Sequence, residues 1–79
     1  MGKKRMQKTR SLVATLHDGK EINIAVYKAG KEVELRFYHP DSGNPITVLV
    51  HPLNRGTVDG WMHEIEVQCG LRFSVASWR

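Results

Sequence analysis

Period-two alternation across residues 11–51 constrains the fold more than any other feature of this chain. Four short runs carry an apolar side chain at every second position, and clusters of glycine, proline, aspartate and asparagine separate them. Leu12, Ala14 and Leu16 share one side of residues 11–17, and Ile22, Ile24 and Val26 share one side of residues 21–28. Val33, Leu35 and Phe37 do so in residues 31–39, and Ile46, Val48 and Val50 in residues 45–51. Strands that alternate in this way bury one face. A two-residue loop at Ala29-Gly30 would pair Val26 with Val33, Ile24 with Leu35 and Ile22 with Phe37. A three-residue loop at residues 18–20 would pair Leu16 with Ile22 and Leu12 with Val26. Across residues 39–44, Phe37 would face Ile46 and Leu35 would face Val48. Every one of these pairs is apolar, so the expectation is a four-stranded antiparallel meander with one continuous apolar face.

The pattern changes after residue 56. Val58, Trp61, Met62, Ile65 and Cys69 fall at helical spacing, Thr57 can cap the N-terminus, Asp59 suits the first turn and Gly70 suits the C-cap. This amphipathic stripe is the natural cover for the sheet. Residues 71–79 alternate again and read as a fifth, C-terminal strand. The expected fold class is therefore α+β, with a four-stranded meander, one covering helix and a fifth strand. Residues 11–79 form a single domain in this reading, and residues 1–10 form a basic, flexible tail.

Charge supports that division. The 79 residues carry a net charge of +4. Lys3, Lys4, Arg5, Lys8 and Arg10 give the first ten residues +5, which leaves residues 11–79 at −1. Such a tail can attract a polyanion by counterion release. The single cysteine, Cys69, excludes an internal disulfide and suits a reducing, cytoplasmic compartment. No run is long and apolar enough to span a membrane, and the charged N-terminus has no secretory core.

The residues of catalysis are sparse. His17, His39, His51 and His63 show no ligand spacing, and no second cysteine joins Cys69, so neither a metal nor another cofactor is expected. Glu64 and Glu66 stand two apart on a helix and cannot face each other. There is no phosphate-binding glycine loop and no nucleophile elbow. The expectation is a protein that is not an enzyme. The outer face of the sheet is more informative, because Tyr27, Arg36 and Tyr38 gather there with Thr47 and Leu49. Tyrosine and arginine are the residues that anchor protein interfaces. Glu32 and Glu34 share that face, and its mixed sign suits a protein partner better than a phosphate backbone.

The strand Asn23-Ile24-Ala25-Val26-Tyr27, followed by Gly30, Arg36 and Gly43, resembles a phage-encoded anti-CRISPR inhibitor of the type I-F surveillance complex. The resemblance covers residues 22–66, with Trp61 one residue late relative to that family's helix tryptophan. It implies a small inhibitor that docks on the backbone subunits of the RNA-guided complex and blocks target-DNA recognition, with Tyr27 on the contact face. The hairpin and the helix at residues 57–70 are also similar, more weakly, to doublecortin-type ubiquitin-like domains, which implies tubulin binding. Two further readings need no resemblance. One is a nucleic-acid-binding module using Lys3, Lys4, Arg5, Lys8 and Arg10. The other is an assembly protein pairing through its sheet.

Overall fold

A computed structural model describes residues 6–79. Strands β1 (Gln7–Leu16), β2 (Glu21–Ala29), β3 (Glu32–Tyr38) and β4 (Pro45–Leu49) are followed by a short 3-10 turn at Pro52–Asn54, helix α1 (Val58–Cys69) and strand β5 (Phe73–Trp78). The five strands form one antiparallel sheet in the order β4-β3-β2-β1-β5. The α+β architecture is the one the alternation implies. Strand β5 pairs with β1, so the first strand lies inside the sheet and β4 and β5 form its edges.

The core occupies one face. Leu12, Ala14, Leu16, Ile22, Ile24, Val26, Val33, Leu35, Phe37, Val48 and Val50 are buried beneath Trp61, Met62 and Ile65 of α1. The helix owes its existence to that contact. Gly60, Val58 and Val67 together weaken it by about 2 kcal/mol relative to alanine. Burying three large side chains returns roughly 1.5–3 kcal/mol each. Thr57 caps the helix, its hydroxyl accepting from the Gly60 N–H at 3.0 Å, and Gly70 ends it in the left-handed region at φ +71°.

Two hairpin registers differ from the sequence expectation, each by two residues. Val26 faces Leu35 rather than Val33, and Leu12 faces Ile24 rather than Val26. The loop between β2 and β3 is Gly30-Lys31, with Gly30 at φ +60°, the first central position of a tight hairpin turn. The loop after β1 is residues 17–19, closed by the Leu16 N–H donating to the Lys20 carbonyl at 2.8 Å, with Gly19 at φ +93°. A two-residue slip leaves every side chain on its original face, so the apolar pattern tolerates both registers, and the position of the positive-φ glycine selects one. The register across β3 and β4 is as expected, with Phe37 opposite Ile46 and Leu35 opposite Val48.

Strand β1 also begins four residues before the expected domain boundary at residue 11. Lys8 and Arg10 lie within it, while Lys3, Lys4 and Arg5 fall outside the described residues. The pairing with β2 shifts between Lys8 and Arg10, so Thr9 is an extra residue in a bulge, its hydroxyl donating to the Val26 carbonyl at 3.2 Å. The bulge places Lys8 opposite Tyr27 on the outer face and Arg10 opposite Val26 on the helix face. Among the described residues, no helix is long and apolar enough to cross a membrane.

Candidate functional site

The sheet face without a helix brings together all three residues singled out there from the sequence. Tyr27 of β2 faces Glu34 of β3, and Glu34 in turn faces Leu49 of β4. One row along, Arg36 lies between Ala25 and Thr47, and Tyr38 faces Pro45. The small Ala25 opposite Arg36 leaves room for the guanidinium to lean diagonally over the Tyr27 ring, 4.0 Å from its centroid. The Arg36 Nε donates to the Glu34 carboxylate at 2.6 Å. That bond holds the guanidinium pKa above its usual value. Tyr38, 69% exposed, completes the group. Tyr27, Arg36, Tyr38, Thr47 and Lys8 line a shallow concavity of about 520 Å³.

This geometry suits binding. The Arg36–Tyr27 stack is worth about 0.5–1 kcal/mol at an exposed site. Its larger effect is to fix a long side chain before any partner arrives. Ordering such a side chain on association costs about 0.5–1.5 kcal/mol, and the Glu34 bond and the stack remove much of that cost. The face presents one aromatic ring already engaged, one free, and a guanidinium already paired with a carboxylate.

Elsewhere, His39 and His51 cap local turns. The His39 Nδ1 accepts from the Asp41 N–H at 3.1 Å, and the His51 Nδ1 accepts from the Leu53 N–H at 3.2 Å. His17, His63, Glu66 and Arg72 line a second cleft of about 350 Å³, but the Glu66 carboxylate already accepts from the Phe73 N–H at 3.0 Å. Among the described residues, no three His, Cys, Asp or Glu side chains converge as metal ligands would. Cys69 is half buried against the core, and that burial pushes its thiol pKa up.

Sequence reasoning missed Glu64. It is 8% exposed, and its carboxylate accepts from the His51 N–H at 2.7 Å and from the Asn54 side-chain amide at 3.3 Å. These two donors hold its pKa below the usual carboxylate range. The available signal was its position, three residues after Trp61 and beside Ile65, inside the apolar arc of the helix. The chain matches no known family model, no curated protein and no solved structure.

Proposed function

We propose that this protein is a small, non-enzymatic binding protein that docks on a protein target through its outer sheet face. Tyr27, Arg36 and Tyr38 form the anchor. The observation that carries this reading is the Arg36 guanidinium, held 4.0 Å over Tyr27 by Glu34 beside the exposed Tyr38. A preorganised arginine–aromatic cluster on an open sheet is the chemistry of an interface hot spot. The geometry supports the docking face; the target comes from the resemblance in residues 22–66 alone. That target is a type I CRISPR surveillance complex in the cytoplasm of a host cell, where docking would block target-DNA recognition.

Capture of a purified type I-F complex by the immobilised chain tests the inhibitor reading, and no binding would refute it. With the complex bound, Tyr27→Ala and Arg36→Ala are each expected to weaken affinity at least tenfold, the range of hot-spot truncations. Unchanged affinity in folded variants would move the contact off this face.

A further inference from the structure

A different surface gathers charge that the outer face does not use. At the end of the sheet where β1 begins and β2 finishes, cations gather about two tryptophans on the helix side. The Arg10 guanidinium lies 4.8 Å over the Trp78 ring, and the Lys28 ammonium lies 5.6 Å over the Trp61 ring. The two indoles meet edge to face, 5.6 Å between centroids. Arg10 also donates to the Arg79 carbonyl at 3.4 Å. Arg55 donates to the Lys31 carbonyl, and its own carbonyl accepts the Trp61 indole N–H at 3.0 Å. These contacts bring Arg10, Lys28 and Arg55 together at one end of the molecule, with Lys31 at the tip of the adjoining hairpin.

The charge there is uncompensated. All the ion pairs among the described residues use Lys20 or Arg36, and none uses any of these four. Glu32, in the same hairpin, and Asp59, at the start of α1, are the carboxylates on the neighbouring elements. Packing alone accounts for Arg10 and Lys28, whose side chains cover the indoles. It does not account for Lys31, nor for Trp78, which remains 38% exposed on an edge strand. Like charges gathered at one end repel one another, and a polyanion would relieve that repulsion.

We propose that this end binds single-stranded nucleic acid, with Arg10, Lys28, Lys31 and Arg55 on phosphates and the exposed indole of Trp78 stacked on an unpaired base. Stacking on aromatic side chains backed by arginine is how single strands are held without sequence preference. A duplex keeps its bases stacked on one another and offers Trp78 no partner. Trp78 and Arg10 lie on the helix side of the sheet, opposite Tyr27, Arg36 and Tyr38, so this site is tested apart from the proposed protein contact.

The experiment is fluorescence anisotropy with the full chain and a labelled oligothymidylate of about 16 nucleotides, the upper range of a single-fold site. Salt is varied between about 50 and 200 mM, with duplex DNA and polyglutamate as competitors. The expected result is single-strand binding with a log–log salt slope of about −3, as four phosphate contacts give. The Arg10→Gln/Lys28→Gln variant, both positions being exposed, is expected to lower that slope by about 1.4. Trp78→Leu is expected to weaken single-strand binding about tenfold. Trp78→Phe, which retains a ring against Trp61, is expected to weaken it less. No binding at the lowest salt overturns the proposal. So does equal affinity for duplex, or competition by polyglutamate as effective as that by single strand. An unchanged slope in a folded Arg10→Gln/Lys28→Gln variant overturns it too.

Discussion

Replacing Gly60 with alanine sets two effects of opposite sign against each other, and the structure decides between them. Gly60 lies in the first turn of α1, where alanine is worth up to about 1 kcal/mol more than glycine by helix propensity. A Cβ at this position would stand 2.5 Å from the carbonyl oxygen of Asn54 and 3.1 Å from its Cα. Both are backbone atoms of the 3-10 turn, and the Asn54 amide is tied to Glu64, so the turn cannot yield by rotating a side chain. Forcing one methyl into a packed contact costs about 1–3 kcal/mol. The steric term wins, and Gly60→Ala is expected to destabilise the protein by about 1–2 kcal/mol. For a domain of this size that lowers Tm by roughly 4–16 °C. Gly56→Ala is the matched control, because a Cβ there meets nothing within 4 Å and its backbone is not left-handed. It is expected to stabilise by about 0.4–1 kcal/mol through the unfolded chain. Urea melts followed by fluorescence of the buried Trp61 measure both. A Gly60→Ala variant as stable as Gly56→Ala would refute the reasoning.

Two further substitutions probe the supports of the same helix. Glu64→Ala removes the carboxylate that accepts from the His51 N–H in a part-buried bond and is expected to cost about 1–2 kcal/mol near neutral pH, measured by urea denaturation. The Glu64 carboxyl is held below its ordinary value of 4.5 in the folded protein, so its stabilisation is complete above that value and is lost as pH falls through the lower folded one. The stability gap between parent and variant is therefore expected to narrow in acid. Thr57→Ala removes the hydroxyl that caps the Gly60 N–H and is expected to cost about 1 kcal/mol, a Tm drop of roughly 4–8 °C by calorimetry.

Most of the fold is legible because its two periods are clean. Alternation places Leu12, Ile24, Leu35 and Val48 on one face, and the 3.6-residue stripe places Trp61, Met62 and Ile65 against it. Register was legible only across β3 and β4. In the other two hairpins a two-residue slip keeps the same faces, so burial cannot choose, and the choice passes to Gly19 and Gly30, whose offset within the loop the apolar pattern does not encode. The bulge at Thr9 was illegible for a related reason. A lone threonine between two cations gives no period to break, so Lys8 and Arg10 read as tail and their assignment to opposite faces went unseen. Tyr27, Arg36 and Tyr38 were placed on one face by parity alone. Their stack depends on the diagonal geometry between neighbouring strands and on the small Ala25, neither of which is local in sequence. Glu64 was hidden because its donors come from a 3-10 turn that no alternation announces.

The pairing of β5 with β1 carries a consequence for the order of folding. Arg10 and Arg79, 69 residues apart, are hydrogen-bonded across that seam. Closing so long a loop in the unfolded chain costs roughly 3 kcal/mol more than closing a three-residue hairpin. The hairpins of β1 to β4 are therefore expected to form early, and β5 to dock late, once the helix has brought the chain back across the sheet. Until then β1 is an open edge, with Ser11, Val13 and Thr15 offering unpaired backbone to any other extended chain. Substitutions that slow the docking of β5 would lengthen that exposure and promote aggregation during refolding, even where the final stability is unchanged.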